Sequence, residues 1–94
     1  MQELLDKEFN RIVGEVLKYK RERKGYSLQE LSNKINNKVS RQTLFKYENN
    51  LSNIRNGIFI DVCKALGEEP GEVFEEISLK YMRYVDQVKD VKFK

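Results

Sequence analysis

The chain has 94 residues, room for one domain with one core and too little for two. Its apolar fraction of 39% and charged fraction of 35% suit a small soluble helical protein, and no run approaches the roughly 18 consecutive apolar residues of a membrane span. With one cysteine and no histidine there is no disulfide framework, no usual zinc site and no histidine-based catalytic group, so neither a metal, a cofactor nor an enzyme is expected.

The opening MQELLDKEFNRIV carries acids near its start and no apolar run, so a secretory leader is not expected and a reducing cytoplasm is. A first helix is predicted from about Leu4 to Lys24, because Leu5, Phe9, Ile12, Val13, Val16 and Leu17 recur at three- and four-residue spacing. Gly25 stops it, and Lys18, Lys20, Arg21, Arg23 and Lys24 complement the dipole at its C-terminal end. For Arg23 and Lys24, contact with phosphate is an equal reading.

A second helix is predicted over about Ser27–Ile35. Ser27 and Glu30 make a capping box, and Tyr26 and Leu31 flank it as a hydrophobic staple. Leu28, Leu31, Ser32 and Ile35 share its inner face. A third helix, about Ser40–Asn49, repeats the pattern: Val39 precedes the cap Ser40, and Leu44 is the staple partner. Two capped helices joined by so short a polar turn read as a helix-turn-helix.

In the third helix Thr43, Leu44, Tyr47 and Glu48 fall on the packed side at 100° per residue. Arg41, Gln42, Phe45, Lys46 and Asn49 fall on the other. That outward set suits base edges: Arg to guanine, Gln to adenine, an apolar group to the thymine methyl. The bland reading is a solvated face with one stray aromatic. The loop from Asn49 to Asn56 carries groups able to donate to phosphates, or simply to turn the chain.

A fourth helix is predicted from about Gly57 to Leu66, burying Ile58, Phe59, Val62, Cys63 and Leu66, with Cys63 as a small core filler. Gly67 ends it, and Pro70 opens a fifth helix with Val73, Phe74 and Ile77 facing inward. Beyond it, Tyr81, Tyr84, Val85, Val88 and Val91 continue the stripe at helical spacing; a strand from Val88 to Lys94 is the second choice. The charge is uneven: residues 26–56 carry a net +3 and residues 57–76 a net −5. One part is fitted to meet an anion and the other to avoid it.

Arg21, Gly25, Ser27, Leu31-Ser32, Asn36, Val39-Ser40, Glu48 and Asn50, with Leu66-Gly67 further on, follow one another in the order of a known pattern. Over residues 10 to 76 the chain resembles the helix-turn-helix of the lambda repressor and Cro type, the XRE family. The resemblance implies an all-α, five-helix lambda-repressor-like DNA-binding domain over residues 1–76, with a probe helix at 40–49 and a C-terminal extension over 77–94. It also implies an ion pair between Arg21 and Glu48 that ties the first helix to the third. Three departures stand out. Ser32 replaces a small Ala. Leu28 stands where several phage repressors carry a phosphate-bracing Gln. Asn36-Asn37-Lys38 lengthens the turn and leaves the pitch of the third helix open.

The expected function is therefore a sequence-specific regulator of transcription, a repressor, that binds double-stranded DNA at a palindromic operator. Base readout is expected from Arg41, Gln42, Phe45 and Lys46. Phosphate contacts are expected from Ser27, Lys38, Ser40, Asn49, Ser52, Asn53 and Arg55. A homodimer is expected through residues 74–91, against the alternative that this tail folds back onto helix 1 of its own chain. The competing function is a protein-interaction module of the same fold, such as an antitoxin, which would tend to carry an apolar or acidic face on the third helix.

Overall fold

A computed structural model describes the backbone of residues 2–92 and the side chains of residues 6–88. The chain forms α1 (Gln2–Lys24), α2 (Leu28–Lys34), α3 (Arg41–Glu48), α4 (Asn56–Ala65) and α5 (Pro70–Lys92). The side chains of Leu5 and Val91, counted above in apolar stripes, lie outside the described residues.

Local chemistry sets the helix starts. Ser27 is extended and accepts from the Glu30 amide at 3.0 Å, while the Glu30 carboxylate accepts from the Ser27 amide at 2.9 Å. That backbone contact, with the serine hydroxyl, holds the Glu30 carboxyl below its usual range. Ser40 repeats the first half of the device, accepting from the Thr43 amide at 3.2 Å.

The ends of α1 to α4 share one solution. Gly25, Asn36, Asn50 and Gly67 each take a positive φ, of 75°, 58°, 57° and 72°. The next residue's amide then reaches back to a carbonyl five residues earlier: Tyr26 to Arg21, Asn37 to Ser32, Leu51 to Lys46 and Glu68 to Cys63. This is the Schellman closure, which satisfies carbonyls that the helix end leaves open. The long turn between α2 and α3 uses it and then adds a second left-handed residue, Asn37, with φ 56°.

The apolar positions of all five helices meet in one core. Ile12, Val13, Val16 and Leu17 of α1 face Leu31, Ile35, Leu44, Tyr47, Val62, Cys63, Leu66, Val73 and Ile77. Gly14 lies among them. A Cβ there would stand 2.4 Å from the Tyr47 carbonyl oxygen and 2.9 Å from that of Glu48. The missing side chain is thus what lets α1 touch the backbone at the end of α3.

The C-terminal extension is a continuation of α5. The helix runs unbroken from Pro70 to Lys92, so residues 88–92 are helical and the alternative strand does not form there. Ile77, just past the expected boundary, is fully buried. Two covers are named above for the apolar stripe, a second copy and helix 1 of its own chain, and part of the stripe meets helix 1. The Phe9 ring lies 6.2 Å from that of Phe74 and meets Tyr81 edge-on at 5.3 Å. The first half of α1 offers Phe9, packed against the core, to α5, the fold-back named above. Phe74, expected inward with Val73 and Ile77, is instead 53% exposed, because it meets the Phe9 ring of α1 and does not enter the core; Leu79 and Met82, outside the expected stripe, are 49% and 57% exposed.

Candidate nucleic-acid interface

The helix α3 is short, and its two sides are cleanly divided. Leu44, Tyr47 and Glu48 are buried and Thr43 is partly so. Arg41, Gln42, Phe45, Lys46 and Asn49 are exposed. Among the described residues neither Arg41 nor Lys46 makes an ion pair. Lys20 and Arg21 of α1, by contrast, are committed: Lys20 to Glu68 and Glu76 at 3.0 and 3.1 Å, and Arg21 to Glu48.

Arg21 fixes the helix in place. Its Nε donates to Glu48 at 2.7 Å, its Nη2 to the other Glu48 oxygen at 3.0 Å, and its Nη1 to the Tyr26 carbonyl at 2.6 Å. One guanidinium thus joins the end of α1, the bend before α2 and the end of α3. The Glu48 hydrogen bonds, working against the cost of burial, hold Arg21 still further into its charged form. On the other side, Ser32 Oγ donates to the Val39 carbonyl at 2.7 Å and lies 3.3 Å from Asn37 Oδ1. A residue small enough for the α2–α3 contact therefore also pins the entrance to α3, and the longer turn is bonded into place.

The expected phosphate contacts divide. Ser52, Asn53 and Arg55 are exposed on the α3–α4 loop. Ser27 and Ser40 spend their oxygens on helix caps; Ser40 also lies 3.1 Å from Thr43 Oγ1. Asn49 turns its amide back onto the Phe45 carbonyl at 2.8 Å. Lys38 is held at 2.8 Å by Asp61 of α4, so it is a tether across the fold in this structure and not a free cation. The acidic segment is correspondingly less idle than its net charge implied: Asp61, Glu68 and Glu76 each hold a lysine.

Two residues beside this face were not among the expected site residues. Leu28, at the start of α2, and Leu51, 67% exposed after α3, line one cleft with Arg41, Gln42, Phe45 and Lys46. Periodicity assigned Leu28 inward, and Leu51 sat in a loop whose course no pattern fixes. The lengths of α2 and α3 and the left-handed Asn50 bring the three apolar groups together.

A helix-turn-helix family model matches residues 17–73, more than half of the chain. The chain belongs to the XRE-type helix-turn-helix family. Its fold is similar to a crystal structure of the clp gene regulator ClgR from Corynebacterium glutamicum, with a TM-score of 0.74 at 24% identity over 90% of this chain and 88% of that one. A second ClgR structure gives a TM-score of 0.67 at 26% identity, over 77% of this chain and 91% of that one. No curated protein matches by sequence. Family and fold are those of a DNA-binding regulator of transcription. Among the described residues no helix is long and apolar enough to cross a membrane.

Proposed function

We propose that this protein represses transcription by binding a specific double-stranded sequence, with α3 in the major groove. The observation that carries the reading is the outward face of α3: Arg41, Gln42, Phe45 and Lys46 are exposed together, and its two cations have no counter-ion among the described residues. Arg41 and Gln42 stand at the start of the helix, the end that a helix-turn-helix directs at base edges. Phosphates would be met by Ser52, Asn53 and Arg55 from the following loop and by Ser27 and Ser40 at the two helix starts. Lys38 would join them if its contact with Asp61 opened.

One recognition helix spans only a few base pairs, too few for a genome-scale address. A homodimer on a palindromic operator supplies two such helices about one turn of DNA apart. The apolar groups left on α5, Phe74, Leu79 and Met82, support a second copy as their cover. Occupation of a promoter by such a dimer excludes other proteins, hence repression. ClgR, whose fold this chain shares, is a regulator of clp genes, in keeping with this reading.

The test is affinity for a selected duplex. A bidentate side-chain-to-base contact contributes about 1–3 kcal/mol of discrimination, roughly 5- to 150-fold. Arg41→Ala should weaken binding by that order and relax the preference at one base position. Arg41→Ala and Gln42→Ala proteins with unchanged affinity and preference would refute this orientation of α3.

A further inference from the structure

The face of α3 carries a feature that a purely polar base reader does not need. Phe45 is 49% exposed and Leu51 67% exposed, and with Leu28 they line an open cleft of about 400 Å³. Leu28 comes from α2, Phe45 from the middle of α3 and Leu51 from the loop after it, so three elements build the apolar surface. Arg41, Gln42 and Lys46 complete its rim. Exposed aromatic and aliphatic groups cost solubility, and here they share a cleft with Arg41 and Lys46, which make no ion pair among the described residues, where a polyanion would dock.

The major groove offers one apolar group, the C5-methyl of thymine. We propose that Phe45 and Leu51, backed by Leu28, form a notch for thymine methyls, so that this protein reads half-sites containing thymine beside the positions read by Arg41 and Gln42. The proposal rests on α3 being a DNA-reading helix and adds the chemistry of the sequence it reads. A protein partner for the same patch would have to bring carboxylates for Arg41 and Lys46 together with its apolar groups, whereas a duplex carries both phosphates and methyls in one edge.

The experiment replaces thymine with uracil, which removes the methyl and leaves base pairing intact. Duplexes are selected from a randomised pool on the full chain, and the winners are resynthesised with uracil at each thymine in turn. Wild-type protein should lose about three- to fivefold in affinity for each methyl seated in the notch, as expected for one buried carbon. Phe45→Ala should bind the thymine and uracil duplexes alike while keeping its helical circular dichroism. Leu51→Ser, a change in an exposed loop, should weaken the discrimination and serves as a second variant if Phe45→Ala binds poorly. A selected duplex indifferent to uracil at every position overturns the notch, leaves the polar reading of α3 standing and points to a protein partner for the patch. Full discrimination retained in both variants also overturns it. Failure to enrich any duplex overturns the notch and the proposed function together.

Discussion

Glu48 ends α3 only 8% exposed, with both carboxylate oxygens on Arg21. A carboxylate that deep is tolerated because a fixed, two-pronged cation meets it; removing one partner leaves the other enclosed and uncompensated. Glu48→Ala is therefore expected to cost up to about 3–5 kcal/mol. At about 4–8 °C per kcal/mol for a domain of this size, thermal unfolding monitored by circular dichroism should fall by well over 10 °C. An unchanged melting temperature would make the pair ornamental. Gly14 bears on the same junction from the other side. Alanine is the better helix former, yet its Cβ would meet backbone oxygens of α3 that have no rotamer with which to move away. Gly14→Ala should thus destabilise by about 1–3 kcal/mol, and a stabilised variant would show that α1 can withdraw freely. Cys63 gives a chemical test. Burial, aided by Glu68, pushes its thiol up to about 11. In the unfolded chain it ionises near 9, so between those values the unfolded state has lost a proton that the folded state keeps, and stability falls as pH rises. Below that window the thiol is protonated and enclosed, so the native protein at pH 8 should resist iodoacetamide and react only once unfolded.

Each of the first four helices ends on a left-handed residue, and Asn serves at Asn36 and Asn50 where Gly serves at the others. Asn tolerates this conformation but a side chain without a local hydrogen bond does not, at about 1–2 kcal/mol. Asn50→Ala should lower the melting temperature and Asn50→Gly should keep or raise it; the reverse order would mean that the Asn50 side chain, not its backbone, holds the loop. Such ends were legible in advance only in part. Caps, staples and the division of α3 into two faces depend on neighbours within one turn, so Ser27, Ser40 and the outward set of Arg41, Gln42, Phe45 and Lys46 could be read from spacing. The contacts of Lys38 with Asp61 and of Lys20 with Glu68 and Glu76 join residues far apart in sequence, and no local pattern encodes them. Gly14 was silent for the same reason: its role exists only when α3 arrives. The apolar stripe of α5 was visible, but whether Phe9 or another copy covers it depends on the packing of α1. Phe9 takes Phe74 and Tyr81 on one side, and Leu79 and Met82, which were not counted in that stripe, remain outward as a further apolar surface. If a second copy covers that remainder, sedimentation should give a dimer, and Leu79→Glu with Met82→Glu should give a monomer with unchanged melting. A monomer at high micromolar concentration would refute the dimer. Ending the chain at Glu76 is the poorer probe, because it also removes the buried Ile77.

Across the molecule the charges sort by task. Asp61, Glu68 and Glu76 bind Lys38 and Lys20, which would otherwise add to the basic surface, while Arg41 and Lys46 stay unpaired among the described residues. The result is a domain that presents two unpaired cations on the outward face of α3, a helix held in place by Arg21, Gly14 and the bonded turn behind it. A fold of this kind is a frame for presenting one helix, and its function stands or falls with what that helix recognises. The most direct measurement is selection of binding sites by the full chain from a pool of random duplex DNA, followed by sequencing. The account predicts enrichment of an inverted repeat whose half-sites lie about one helical turn apart, with one base position relaxed when the selection is repeated with Arg41→Ala. A pool that emerges with no enriched sequence, or the same sequence enriched equally by the Arg41→Ala protein, would contradict it.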